Sequence, residues 1–135
     1  MQRLLLTSIF LVVFGICSII HPSGIHAENA SAENVRIGAI VDLTGPHATR
    51  GQLNLRGMED YFRYINETAS GISGRKIVLA VVDGGRRVAD VLNDMEKLCV
   101  SEKVDMATVY NARISEKARP IFVKYKVPHM DASNC

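Results

Sequence analysis

From Val35 to Met130 the chain alternates between short apolar runs and longer stretches in which apolar residues recur every third or fourth position. Val35 to Val41 is mostly apolar and predicts a strand buried on both faces. Asp42 to Gly51 is polar, carries the turn pair Gly45-Pro46, and reads as a loop. In Gln52 to Asn66 the residues Leu55, Met58, Phe62 and Ile65 fall at helical spacing and form a core stripe, with Tyr61 and Tyr64 at its flanks. The Gly- and Ser-rich stretch Thr68 to Gly74 ends that helix. Lys76 to Val82 predicts a second strand, stopped by Asp83-Gly84-Gly85. Val88 to Glu102 predicts a second helix with Val88, Val91, Leu92, Met95, Leu98 and Cys99 on its apolar face. Val104 to Val109 is a third strand, broken only by Asp105 and Thr108. Ser115 to Lys126 is a third helix, with Ala118, Ile121, Phe122 and Tyr125 on one side and Pro120 in its first turns, where proline is tolerated. Val127 to Met130 begins a fourth strand.

The order β-α-β-α-β-α-β with short connections implies a parallel sheet wound right-handed, with helices on both faces. The fold class is therefore α/β, a three-layer doubly wound parallel sheet. The fourth strand abuts the end of the chain, where a compact domain of this kind would normally add a fifth strand and helix. The expectation is that residues 28–135 are the leading, incomplete part of a larger lobe, or a truncated product.

Residues 1–27 have the form of an export signal. Arg3 supplies a basic start, Leu4 to Ile20 is largely apolar, and His21-Pro22-Ser23-Gly24 breaks the run. The small-residue patterns Ile25-His26-Ala27 and Ala30-Ser31-Ala32 follow. Cleavage is expected after Ala27, with Ala32 as the alternative. An uncleaved membrane anchor is the rival reading, but the run is short against the roughly 20 residues a span needs. A lipid anchor at Cys17 is disfavoured by the bulky Ile16 before it.

Charge narrows the function. The formal net charge is +2, with basic residues scattered and only Arg86-Arg87 adjacent, so a nucleic-acid partner is not expected. Cys99 and Cys135 remain after the signal; a buried free thiol at Cys99 is expected over a disulfide. There is no C-x-x-C, and His47 and His129 show no ligand spacing, so neither a metal nor another cofactor is expected. No nucleophile elbow or paired catalytic carboxylates occur, and an enzyme is not expected. Asp42 and Asp83 end strands and could act as bases, yet such residues more often cap turns.

In a parallel sheet the loops after the strands gather at one rim, and ligands bind there beside the switch point in strand order. The first loop lacks the G-x-G-x-x-G spacing and the Gly-Lys-Ser/Thr of a phosphate loop. It offers Thr49, Arg50 and the free N–H groups of a helix start near Gly51, suited to a carboxylate or phosphate; a solvated arginine is the alternative. The third loop offers Tyr110 as a pocket wall, Asn111 as a polar contact, Ala112, and Arg113 as a second anion partner or a solvated side chain. The fourth offers Ser133 and Asn134, short polar groups suited to an ammonium or amide; a turn or disordered terminus is the alternative.

Those residues sit within a wider pattern. Ile37-Gly38, Leu43-Thr44-Gly45-Pro46 and Gly51 resemble the start of the type I periplasmic solute-binding proteins of ABC transporters, the leucine/isoleucine/valine-binding group in particular. The likeness continues through Gly57-Met58-Glu59, Tyr64-Ile65-Asn66, the turn Gly71 to Ile77, Asp83, Lys103-Val104-Asp105 and Val127-Pro128. It implies a two-lobed, monomeric periplasmic receptor that closes on a small solute and delivers it to an ABC permease, with this chain supplying most of the first lobe. Carried across by position, the ligand-binding residues are Arg50, Tyr110, Asn111, Ala112, Ser133 and Cys135. The chain departs from the amino-acid-binding pattern at Tyr110 to Arg113, where the family has glycine and hydroxyl residues. Amino acids, amides, urea-like compounds and other small carboxylates therefore all stay open. A sensory domain of a signalling receptor, or a non-functional remnant, are the alternative readings.

Overall fold

The structure, a computed structural model, describes residues 33–132. The expected signal over 1–27, and Ser133 to Cys135, lie outside the described residues. The elements run β1 (Val35–Val41), α1 (Ala48–Thr68), β2 (Ile77–Asp83), α2 (Val88–Val100), β3 (Met106–Val109), α3 (Ala112–Tyr125) and β4 (His129–Asp131). The four strands form one sheet in the order β2-β1-β3-β4, and every pair is parallel. The switch point lies between β1 and β3, whose flanking crossovers leave the sheet on opposite sides. Among the described residues no helix is long and apolar enough to cross a membrane.

Even-numbered residues of β1 and β2 and odd-numbered residues of β3 face α2 and α3. Ile40, Val82, Ala107 and Val109 join Val91, Met95, Leu98, Ile114, Ala118 and Phe122 in one core. The opposite face, with Ile37, Ala39 and Val41, is covered by α1, whose Leu55, Met58, Phe62 and Ile65 are half-buried as their spacing suggests. Tyr61 and Tyr64 point away and are mostly exposed. At the far end of α1, Asn66 joins helix to strand: its amide donates to the Ile77 carbonyl and its oxygen accepts from the Ile77 N–H, both at 2.8 Å.

Two expectations shift. The first helix begins at Ala48, not Gln52, because Gly45 turns the chain at φ 80° and the Ala48 and Gly51 N–H groups find the carbonyls of Gly45 and His47. Gly51 is thus inside α1, and there for closeness: a Cβ on it would stand 1.9 Å from the Asp42 carbonyl oxygen. The third helix begins at Ala112, three residues early, so Pro120 is interior and removes the donor to the Glu116 carbonyl, at an exposed position. The apolar run Ile77 to Val82 forms an edge strand, and Val78 and Val81 remain exposed. Cys99 is half-buried and free, its thiol pushed up by burial and by the nearby Glu96 carboxylate.

Candidate functional site at the carboxyl rim

The loop after β1 is shaped from beneath by Asp83, the last residue of β2. Its carboxylate accepts from the N–H groups of Leu43 (2.9 Å), Thr44 (3.2 Å) and Gly85 (2.9 Å) and from the Thr44 hydroxyl (2.7 Å). Burial alone would raise its pKa, but these four donors outweigh it and hold the carboxyl below its ordinary range. The two loops touch so closely that a Cβ on Gly85 would lie 2.1 Å from the Thr44 carbonyl oxygen. Asp83 is therefore a loop clamp, the turn-capping role weighed for it against that of a base.

The loop after β3 is anchored in the same manner. The Asn111 side-chain oxygen accepts from the Ile114 N–H (3.2 Å) and so caps α3. Its amide donates to Asp42 Oδ1 at 2.7 Å and to the Gly84 carbonyl at 3.4 Å. Asp42 is almost fully buried, and this bond ties the ends of β1 and β3 together across the switch point. Deeper still, the Ser115 hydroxyl, buried in α3, donates to Asp131 at the end of β4.

Above this scaffold lies an open cleft of about 910 Å³ lined by both loops, the start of α1, the start of α3 and Ala132. It brings together four of the six residues expected from sequence. Arg50 is exposed on the first turn of α1; Tyr110 is half-buried in the wall; Asn111 lines the floor with both ends of its amide engaged by protein; and Ala112 opens α3. The other two, Ser133 and Cys135, follow Ala132 but are outside the described residues. Arg113 is also in the lining and donates weakly to the Arg86 carbonyl (3.4 Å).

Thr44, His47 and Asn54 line the cleft too and were not singled out from sequence. Asn54 could have been found once α1 is started at Ala48, since it then sits four residues after Arg50 on the same helix face.

Helices α1 and α3 both begin at this cleft, and neither has an acidic residue in its first turn. In α2, by contrast, Asp90 occupies the first turn and pairs with Arg87. Asn111 satisfies one N–H at the start of α3, and the positive dipole ends of both helices, beside Arg50 and Arg113, still make the rim a place where negative charge is favoured.

A periplasmic binding protein family model matches residues 34–134. No curated protein sequence matches the chain significantly. Among solved structures, the chain is similar to the branched-chain amino acid transporter substrate-binding protein LivJ from Streptococcus pneumoniae, in complex with isoleucine. That match has a TM-score of 0.68 and 23% identity, covering 74% of this chain and 29% of that one. A possible leucine/isoleucine/valine-binding protein from Rhodopirellula baltica gives a TM-score of 0.66 at 21% identity, covering 76% and 28%. An ABC-transporter solute-binding protein from Rhodopseudomonas palustris, in complex with 4-hydroxybenzoate, gives 0.63 at 22%, covering 74% and 27%. The chain thus spans under a third of the length of these structures, and the part it matches is one α/β lobe. On the family match, which takes in most of the chain, the chain belongs to the periplasmic binding protein family.

Proposed function

We propose that this chain supplies the first lobe of an exported receptor that captures a small polar solute and hands it to an ABC permease in the membrane. The leader at 1–27 directs it to the periplasm, and it works there as a monomer by binding rather than turnover. The observation carrying this reading is the cleft at the switch point, where Arg50, Tyr110, Asn111 and Ala112 meet on a scaffold of part-buried hydrogen bonds. Arg50 and the helix starts face the polar end of the solute, Tyr110 packs against its body, and Ser133 adds a hydroxyl from the fourth loop. Asn111 acts from below by fixing the loop and the start of α3. The solute is held by preorganised donors, and in a two-lobed receptor the second lobe would close over it by a hinge.

A thermal-shift screen of the purified exported protein against small amino acids, amides and carboxylates tests this. A ligand that binds only the folded state raises its stability by about 2.7 kcal/mol at a hundred times Kd, a readily measured rise in Tm. At least one solute class should give a saturable rise, and Arg50→Ala should reduce it. A screen with no response in any class would defeat the receptor reading.

A further inference from the structure

Five of the nine arginines between Arg36 and Arg119 are ion-paired: Arg36 with Glu102, Arg63 with Asp60, Arg75 with Asp105, Arg86 with Asp94 and Arg87 with Asp90. The other four, Arg50, Arg56, Arg113 and Arg119, have no carboxylate within ion-pair distance among the described residues. Two of these four, Arg50 and Arg113, come from the first turns of different helices and line the same cleft. The acidic side chain in that lining is Asp42, which is almost fully buried and accepts from Asn111.

Resting on the receptor reading above, we infer that the solute end gripped by this lobe is a carboxylate with no ammonium group beside it. A guanidinium matches a carboxylate through paired, charge-assisted hydrogen bonds. An α-ammonium held next to that carboxylate would face two arginines and two helix starts, all of like sign. A free carboxylate to balance its charge is missing from the described lining, since the Asp42 carboxylate is already committed to the floor. Simple organic acids are therefore favoured over zwitterionic amino acids of the same skeleton, and neutral amides are the weakest of the three.

The test uses isotopically labelled chain, pH 7, low ionic strength, and three compounds with one skeleton: 4-methylpentanoate, L-leucine and 4-methylpentanamide. The backbone amide signals of residues 49–51 and 112–113 are followed by NMR. The expected order of affinity is acid, then amino acid, then amide. Arg50→Gln and Arg113→Gln should each weaken the acid by about tenfold, the scale of one charge-assisted hydrogen bond. Arg56→Gln, an unpaired arginine outside the cleft, should change nothing. Leucine binding as tightly as the acid overturns the inference and leaves the receptor reading standing. So does sulfate if it moves the same signals at the same concentration, because the attraction would then be general. Silence from all three compounds, alongside a thermal response to some other solute, also overturns the inference alone; silence in both experiments overturns the receptor reading with it.

Discussion

On one face of the sheet α2 and α3 bury Val91, Met95, Leu98, Ile114, Ala118 and Phe122 against Ile40, Val82, Ala107 and Val109. On the other face α1 is longer, at 21 residues, yet the residue it buries fully is Gly51, and its apolar stripe stays half-exposed. The first face is held by area removed from water. The second relies more on directed polar bonds at the two ends of α1: Asn66 with Ile77 at one end, and the Asp83 clamp on the preceding loop at the other. Hydrophobic packing is tolerant of direction but sensitive to volume, whereas the clamps are the reverse. The cleft sits where the two regimes meet, since its walls come from both α1 and α3.

The sharpest way to break this contrast is to truncate one phenylalanine on each face. Phe122 is fully buried and stacks on His129 at 4.8 Å between ring centres. Phe122→Ala should cost about 3–5 kcal/mol by transfer and cavity terms together. Phe62→Ala, from the half-buried stripe of α1, should cost about 1–2 kcal/mol, since less of its area leaves water and the site can fill with solvent. Urea denaturation followed by circular dichroism measures both. Equal losses would mean that the two faces are packed alike.

The same contrast explains what could be read before the fold was seen. The apolar faces of α2 and α3 were legible because Val91, Met95, Leu98, Ala118 and Phe122 repeat at the helical period and are in fact buried. The strands were legible as runs, but Val35 to Val41 and Ile77 to Val82 look alike in sequence, and only the strand order makes one central and the other an edge. Gly51 resembled a loop end because its reason, the Asp42 backbone 1.9 Å from a would-be Cβ, lies in tertiary structure. At the site, grouping Arg50 with Tyr110 to Ala112 followed from parallel strands alone. The structural duty of the Asn111 side chain was hidden, because a cap to Ile114 and a bond to Asp42, 69 residues away, leave no local signature that distinguishes them from a ligand contact.

A smaller effect, opposite in sign, is expected at Thr108. It lies on β3 facing the α1 side, is 4% exposed, and its hydroxyl has no hydrogen-bond partner among the described residues. Burying an unpaired hydroxyl is unfavourable, and valine keeps the shape and suits a strand. Thr108→Val should therefore stabilise by about 1 kcal/mol, or about 4–8 °C in Tm for a domain of this size. A loss of stability would show that the hydroxyl is satisfied by water and that the α1 face is wetter than its burial suggests.

The smallest expected effect, and the most local, is the response of the Asp83 clamp to acid. Because its pKa is lower in the folded chain than in the unfolded one, the stabilisation is complete above the ordinary aspartate value of 3.8 and is lost as pH falls through the lower folded value. Protonation removes the charge that the Leu43, Thr44 and Gly85 N–H groups and the Thr44 hydroxyl address, while the packing of α2 and α3 on the sheet does not depend on that charge. Below pH 4 the amides of Leu43, Thr44 and Gly85 should lose hydrogen-exchange protection before those of β3. Asp83→Asn, which keeps an acceptor for the same N–H groups but cannot titrate, should flatten that difference. If the rim and β3 open together in acid in both proteins, then α1 and its loop form one cooperative unit with the opposite face, and the division between packed and clamped sides has no thermodynamic meaning.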